Sequence, residues 1–451
     1  MAERKSALAG PHLVRYGIAG DQKYLVGDLL DTYDQLVINA RMVAHMAAGL
    51  ALFLTQRAHN KPYFIDPETH IFQHDPEYLQ TTSEESETRL KRSVDRLIES
   101  YGNPVEHIVK EKQSILPEDF GNKTQRIEFC RRVIKFQLKA ISDRVQDTEN
   151  VEYYEFLKKK GVVESSSFTP TLVVAPYFCM DGNTFEDWID VNIKCAGDSQ
   201  EIADELDIPM AAEIVITQSV LSDSEKMKSL IDKYKTLEPA VFLIWVDAFS
   251  EHEVSEGLLK EFVNMLEKLK ETGSRVVNLY GSYFSVMLLH CRTLDGVTHG
   301  LEYGEERPLL PVGGGIPTAK FYLPALHLRL RHRDALRAVK ALGGIESVES
   351  FHCNVCNCLQ CKKTIARDAD KDFGNYLRTK RVNNRDIPYP ETKDNSVRHY
   401  MFCKQKEFGR SGGDTDLKQL KDAAEHLRRF VGPENADHCA KWADVISRLS
   451  Q

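Results

Sequence analysis

The stretch AEIVITQSVLSDSEKMKSLIDKYKTLEPAVFLIWVD, residues 212 to 247, contains one complete unit of strand, helix and strand. Two apolar runs, AEIVIT and VFLIWVD, flank the segment DSEKMKSLIDKYKTL, whose apolar residues recur three and four positions apart. A run that is apolar at nearly every position is typical of a strand buried on both faces, as in a parallel sheet covered by crossover helices. The unit therefore predicts an α/β fold with a parallel sheet.

Similar apolar runs recur along the chain, and helical patterns follow them. Eight such units predict a (β/α)8 TIM barrel over residues 30–350, and a doubly wound open sheet is the alternative because counting units does not show closure. The predicted strands are residues 35–41, 62–67, 171–178, 212–217, 241–247, 275–281, 296–302 and 320–327. A charged helical insertion is expected at residues 75–165, and two amphipathic helices are expected in a tail at residues 411–451.

Composition indicates the class of protein. The chain has 451 residues, 42% of them hydrophobic, which is ample for a globular core. The longest apolar run, residues 43–54, contains His45 and is too short to span a bilayer, and the N-terminus MAERKSALAG has no apolar signal region. We therefore expect a cytoplasmic protein with no membrane partner.

The segment HCNVCNCLQCKKT, residues 352–364, holds four of the ten cysteines. Cys356, Cys358 and Cys361 form a C-x-C-x2-C run, the kind of thiolate loop that holds structural zinc. The fourth ligand is open: His399 is the first choice, Cys353 would close the set as four cysteines, and Cys403 is a further competitor. The sequence thus predicts a zinc-binding subdomain at residues 351–410, with a redox pair as the alternative.

Positive charge is concentrated in the same part of the chain. The formal net charge is −8, but residues 328–410 carry +8, so the remainder carries −16. A local basic surface of this kind is typical of a phosphate-binding face, and an ordinary solvated surface is the alternative. The candidate nucleic-acid contacts are Lys362, Lys363, Arg378, Lys380, Arg381 and Arg385.

Polar side chains follow several predicted strands. Because barrel chemistry lies at the carboxyl ends of strands, Asp66 in FIDPETH and Asp247 in IWVDAF are candidate catalytic carboxylates. Each could instead cap the helix that follows. The base-binding candidates are Asn39, Tyr177, Phe178, Tyr280, Gly281, Ser282 and His299.

A barrel followed by C-x-C-x2-C and a histidine resembles the tRNA-guanine transglycosylase family, including relatives that insert 7-deazaguanine bases into DNA. QLVINARMVAH, YFIDPETHIF and the YGS at 280–282 are similar to the family's strand ends. The resemblance implies that Asp66 is an active-site aspartate and that Cys356, Cys358, Cys361 and His399 bind zinc. The family's nucleophilic aspartate has no counterpart at the expected point of KFYLPALHLRLRHRD.

Two main hypotheses follow for function. In the first, the chain is a transglycosylase that exchanges guanine for a 7-deazaguanine base in tRNA or DNA, using Asp66, Asp247 and aromatic surfaces around a flipped-out nucleotide. In the second, it is a non-catalytic zinc-bearing barrel that binds nucleic acid as a subunit of a modification complex. A hydrolase of nucleosides is a third reading. The expected partners are nucleic acid and a 7-deazaguanine base, in a homodimer or a hetero-oligomer.

Overall fold

The structure, a computed structural model, describes residues 7–58, 61–82, 88–146, 169–302, 304–310, 320–382, 385–409 and 417–449. Its centre is a sheet of eight strands that all pair in parallel, in the spatial order β3-β2-β1-β8-β7-β6-β5-β4. The strands are β1 His12–Tyr16, β2 Gln35–Asn39, β3 Tyr63–Asp66, β4 Val173–Val174, β5 Met210–Ile216, β6 Val241–Val246, β7 Arg275–Asn278 and β8 Gly296–His299.

The two edges of this sheet meet, so it forms a nearly closed barrel. The backbone amide of Thr171, just before β4, donates to the carbonyl of Tyr63 at the start of β3 over 2.9 Å. Every residue of β5 and β6 is buried, as the continuous apolar runs predict. The predicted (β/α)8 fold is confirmed, and the open sheet is excluded by the contact between β3 and β4.

One barrel strand was nevertheless missed, and one predicted barrel strand was wrong. The first barrel strand is HLVRY at residues 12–16, which lies before residue 30, the predicted start of the barrel. It was missed because His12 and Arg15 interrupt its apolar pattern. The predicted last strand, residues 320–327, lies outside the barrel sheet and forms an antiparallel pair, Lys320–Leu323 with Leu328–Arg331. One omission and one addition cancelled, which is why the predicted number of strands was correct.

Helices surround the barrel and connect its strands. They are Ala40–Leu52 after β2, Phe185–Glu205 after β4, Gln218–Leu221 and Ser224–Tyr234 after β5, Glu256–Lys270 after β6, Tyr283–His290 after β7 and His332–Ala341 after β8. Between β3 and β4 lie the helices Arg92–Tyr101, Val105–Lys110, Lys123–Lys139 and Ser142–Gln146, as predicted for the insertion, whose residues 147–165 are outside the described ranges. Over the parts of the chain given above, no helix has both the length and the hydropathy needed to cross a bilayer.

The C-terminal part continues with Val348–Asn354, Leu359–Thr364, Ala369–Phe373, an antiparallel ribbon of Thr379–Val382 and Arg385–Pro388, and the helix Pro390–Phe408. The two tail helices, Leu417–Val431 and Asp437–Leu449, are separated at Gly432 and Pro433, as predicted. They pack on His332–Ala341 and Glu256–Lys270 respectively. The tail is therefore part of the barrel's outer layer.

Buried histidines under this tail make folding sensitive to acid. Burial lowers the pKa of His252 to about 4 and that of His438 to about 3. The folded chain therefore binds fewer protons than the unfolded chain below pH 6.5, so stability is lost as the pH falls toward 4. Each histidine contributes up to about 1.4 kcal/mol per pH unit in that window.

We expect the variant His438→Gln to lose less stability than the native chain between pH 6.5 and pH 4.5. Urea unfolding at several pH values measures the difference in slope. The matched control is His107→Gln, which removes an exposed histidine of the insertion helix Val105–Lys110 that does not pack under the tail. Equal slopes for the native chain and His438→Gln would show that this histidine is protonated as readily in the folded state as in the unfolded state.

Candidate metal centre and barrel mouth

The candidate metal centre lies between two segments that are distant in sequence. Cys356 and Cys358 lie in a loop, and Cys358 caps the helix Leu359–Thr364 by accepting a hydrogen bond from the Cys361 amide. His399 and Cys403 lie four residues apart on the helix Pro390–Phe408, so they share one face of it. That face meets the cysteine loop.

The imidazole of His399 is at the centre of the cluster. Its Nδ1 lies 3.2 Å from the sulfur of Cys361, 3.3 Å from that of Cys358, 3.6 Å from that of Cys403 and 3.9 Å from that of Cys356. The sulfurs of Cys356 and Cys403 are 3.7 Å apart. All five residues are buried.

These spacings match a tetrahedral zinc shell. With Zn–S bonds of about 2.3 Å and Zn–N bonds of about 2.0 Å, the tetrahedral edges are about 3.8 Å between sulfurs and about 3.6 Å between sulfur and nitrogen. One group of donor atoms, all within 4.8 Å of one another, comprises Cys356, Cys358, His399 and Cys403. The cluster could therefore hold a metal ion.

Other contacts orient the histidine for this role. Its Nε2 donates to the backbone carbonyl of Tyr322 over 2.7 Å, which leaves the lone pair on Nδ1 facing the sulfurs. The ring also stacks on Phe321, with centroids 4.4 Å apart. A carbonyl that fixes the tautomer of a ligating imidazole is typical of metal sites in proteins.

The sulfurs also differ in proton affinity. Hydrogen bonding with Cys356, and then with Cys361 and Cys403, lowers the pKa of the Cys358 thiol. Burial raises the pKa of both Cys361 and Cys403. Because thiolates are the form that binds zinc, either of these thiols would release its proton on binding an ion.

The group contains three of the four predicted ligands, Cys356, Cys358 and His399, with Cys403 in place of the predicted Cys361. The sulfur of Cys361 nevertheless lies 3.2 Å from His399 Nδ1. Cys353, the alternative fourth ligand, is exposed and lies outside the group. Sequence reasoning named Cys403 only as a competitor, although its spacing of four residues from His399 is a helical signal for a shared face.

The end of the barrel at which the carboxyl ends of its strands lie is called the mouth below. There Asp66 is fully buried, and both of its carboxylate oxygens accept two hydrogen bonds. Arg15 donates to its Oδ2 through both terminal nitrogens, over 2.8 and 3.0 Å. The Tyr177 hydroxyl donates to Oδ1 over 2.6 Å, and the Glu68 amide does so over 3.0 Å. Arg15 on β1 therefore supplies the charge that compensates this buried carboxylate.

A second ion pair closes the mouth beside it. Arg41 contacts both carboxylate oxygens of Glu68, over 2.8 and 3.2 Å, and Arg307 contacts Glu68 Oε1 over 3.4 Å. Arg307 also donates to the Tyr280 hydroxyl over 2.7 Å. Arg307 lies in the segment 304–310, which follows β8. Because the Trp245 indole on β6 donates to the backbone carbonyl of Arg307, this segment crosses the mouth from β8 to β6.

A third carboxyl group, that of Glu213 on β5, lies inside the barrel. It is 2% exposed, and neither of its oxygens has a hydrogen-bond partner within the described part of the chain. Burial, and then the charge of Asp66, raises its pKa well above the usual range, which favours the neutral acid. Sequence reasoning missed this residue, although a single carboxylate within the apolar run AEIVIT is a recognisable signal.

Asp247 occupies a different environment from Asp66. It follows β6, is partly exposed, and its Oδ1 accepts from the amide of Leu309 over 2.7 Å. In the described residues it shares no hydrogen-bond partner with Asp66. Its contact holds the segment that crosses the mouth.

Three of the predicted base-binding residues lie in the mouth. Asn39 accepts from Arg15 over 2.8 Å, Tyr177 donates to Asp66, and the ring of Tyr280 lies 4.6 Å from the Arg15 guanidinium carbon. Each side chain contacts Arg15 or Asp66. The mouth is therefore polar and aromatic, as expected for these three positions.

The other four predicted base-binding residues contact the barrel's outer layers or pack locally. Phe178 packs on Phe120 with centroids 4.8 Å apart, since successive side chains of an extended segment point to opposite faces. His299 lies 2.7 Å from His12 between the ring nitrogens. The Ser282 amide donates to Glu251 over 2.9 Å. A Cβ on Gly281 would lie 2.5 Å from Val297, so close packing requires this glycine.

The predicted basic surface is largely exposed. Lys362, Arg378, Lys380 and Arg381 are exposed, and Lys363 pairs with Asp28 over 3.3 Å. The side chain of Arg385 lies outside the described part of the structure. The basic ribbon, Thr379–Val382 with Arg385–Pro388, is inserted between the cysteine loop and the helix that carries His399.

One contact connects this ribbon to the metal centre. Tyr376, three residues before the ribbon, donates its hydroxyl hydrogen to the sulfur of Cys361 over 3.4 Å. The metal cluster thus lies at the base of the exposed ribbon.

No protein-family model matches the chain, and no curated protein sequence matches it.

Proposed function

We propose that this chain acts on nucleic acid, holding it on the basic ribbon and exchanging a guanine for a 7-deazaguanine base at the barrel mouth. The observation that carries the proposal is Asp66: it ends β3 inside a polar mouth, at the point where the resemblance expects an active-site aspartate. Zinc in the Cys and His cluster would stabilise the subdomain that carries the ribbon. Since all of its donors are buried, the role assigned to this ion is structural.

The carboxyl groups of the mouth differ in a way that suits acid and base chemistry. Asp66 is paired with the guanidinium of Arg15, whereas burial raises the pKa of Glu213 and so favours its neutral acid. Tyr177, whose hydroxyl binds Asp66, lies next to both groups. Two carboxyl groups in environments this different are typical of acid and base catalysis. To attack a sugar carbon, Asp66 would have to exchange the guanidinium of Arg15 for the substrate.

Radiolabelled guanine tests the exchange reaction directly. Native protein should incorporate the label into tRNA or duplex DNA, and Tyr177→Phe should lower incorporation because it removes the hydroxyl hydrogen bond to Asp66. Thr217→Ala is the matched control, since Thr217 follows β5 and its hydroxyl contacts only the Ser219 hydroxyl within the described residues. Incorporation that is unaffected by Tyr177→Phe would argue against chemistry at Asp66.

The second candidate function is that of a non-catalytic, nucleic-acid-binding subunit of a modification complex. It is favoured by the saturation of Asp66, which is 0% exposed and already accepts four hydrogen bonds. Its distinguishing result is nucleic-acid binding by the purified chain with no incorporation of labelled guanine. Incorporation by the chain alone would eliminate this candidate.

Reversing the ribbon charges should weaken nucleic-acid binding. The triple variant Arg378→Glu, Lys380→Glu and Arg381→Glu removes three exposed cations on the ribbon and directly before it. For duplex DNA, we expect the slope of log K against log salt concentration to become less negative by about 2 to 3. Fluorescence anisotropy between 50 and 200 mM salt, roughly the range over which phosphate contacts are lost, measures both the affinity and the slope.

A matched control reverses three exposed cations on the insertion helix Lys123–Lys139, namely Lys123, Lys135 and Lys139. Both triple variants change the net charge equally, so only a local contact can separate them. Equal weakening by the two variants would indicate a general charge effect and would remove the ribbon from the proposal.

A further inference from the structure

The metal cluster has more donors than a tetrahedral ion can use. Five side chains approach one another, whereas zinc in a closed structural site takes four ligands. Cys356, Cys358 and His399 belong both to the sequence-predicted set and to the group whose atoms all lie within 4.8 Å. The two sets differ only in the last donor, which is Cys361 in one and Cys403 in the other.

The structure supports either residue in that last position. The sulfurs of Cys361 and Cys403 lie 3.2 and 3.6 Å from the same His399 nitrogen, close to the tetrahedral edge of about 3.6 Å. Cys403 lies 3.7 Å from the sulfur of Cys356, close to the edge of about 3.8 Å between sulfurs. Cys361 lies one helical turn after Cys358, and its amide donates to the Cys358 sulfur over 3.3 Å.

We propose that Cys361 and Cys403 are alternative fourth ligands of a single metal ion, which Cys356, Cys358 and His399 hold in both arrangements. The thiol that is not bound remains buried at little cost, because an uncharged cysteine behaves as a small apolar side chain. When Cys403 binds the ion, Cys361 keeps the hydroxyl of Tyr376 as its partner, 3.4 Å away. This inference concerns the metal centre and does not depend on the nucleic-acid function.

The two alternative ligands, Cys361 and Cys403, are connected to different parts of the molecule. Cys361 is linked through Tyr376 to the segment that leads into the basic ribbon. Cys403 precedes Lys404, which pairs with Glu305 over 3.0 Å and so connects its helix to the segment after β8. Because Cys358 and His399 bind the ion in both arrangements, the fourth ligand decides only which of the two sides supplies the additional thiolate.

Zinc content after equilibration with a competing chelator tests the proposal. The single variants Cys361→Ser and Cys403→Ser should each keep one zinc per chain, with affinities within about tenfold of the native value, a smaller loss than removal of an irreplaceable ligand would cause. The double variant should lose the ion under the same conditions. Cys358→Ser is the positive control for loss, and the exposed Cys353→Ser is the control for no effect.

Cobalt substitution provides an independent readout. Both single variants should show the charge-transfer absorption of three thiolates, as the native protein should, whereas the double variant should show a weaker band or none. Loss of metal from one single variant alone would overturn the proposal and identify that residue as the fixed ligand. Retention of metal by the double variant would exclude both residues.

If the single variants do not fold, the native protein itself gives the answer. The thiols of Cys361 and Cys403 are both buried, so an alkylating reagent reaches an unbound one only when the subdomain opens locally. Prolonged alkylation of the zinc-loaded chain followed by mass mapping should label fractions of both Cys361 and Cys403, and should spare the metal-bound Cys356 and Cys358. Labelling of only one of the two cysteines would contradict an exchange between them.

Discussion

Cys358→Ser is expected to reduce the bound zinc to far below one ion per chain and to destabilise the C-terminal subdomain. Cys358 is 1% exposed and lies 3.3 Å from His399 Nδ1. Zinc binding supplies about 10 to 16 kcal/mol to the folding of small zinc domains, so losing a ligand removes several kcal/mol here. Metal analysis and urea unfolding with and without chelator measure the two effects.

The control for this substitution is Cys353→Ser, which changes an exposed cysteine of the same loop and should alter neither quantity. In the native chain, a chelator should reproduce the loss of stability caused by Cys358→Ser. A Cys358→Ser protein with native zinc content and native stability would show that Cys358 is not a ligand of the metal ion.

Asp66→Asn is expected to destabilise the barrel by about 3 to 5 kcal/mol, because it leaves the charge of Arg15 buried and unpaired. The side chains of this pair are 6% and 0% exposed, so water cannot replace the lost partner. The sequence alone predicts a different outcome, namely that this substitution would isolate the charge without affecting folding. Chemical unfolding of the two proteins at pH 7 distinguishes these expectations.

Asp28→Asn is the matched control, because Asp28 pairs with Arg398 in a partly exposed position and should contribute at most about 1 kcal/mol. The double variant Arg15→Gln with Asp66→Asn should recover part of the lost stability, since it removes the unpaired charge. If Asp66→Asn is as stable as the native chain, the ion pair contributes nothing to folding, and the activity of this variant can then be interpreted directly.

The sequence by itself determined the fold class and the position of the thiols. Strands that are buried on both faces are apolar at nearly every residue, so seven of the eight barrel strands are visible without a structure. The exception is β1, because His12 and Arg15 interrupt its apolar run. The cysteine loop is local, with three sulfurs within six residues, and its spacing alone indicates a metal. The helical spacing between His399 and Cys403 was equally available.

The tertiary structure decided which side chains meet. Arg15 lies 51 residues from Asp66 in the chain, and Arg307 lies 239 residues from Glu68, yet each pair is in contact because the barrel brings the carboxyl ends of all its strands to one end. Periodicity predicts the face of a strand on which a side chain lies, but it does not identify the neighbour. Packing between distant segments therefore produces three features that no local pattern encodes. They are the four hydrogen bonds to Asp66, the Glu213 carboxyl group that has no hydrogen-bond partner among the described residues, and the fifth donor of the metal cluster.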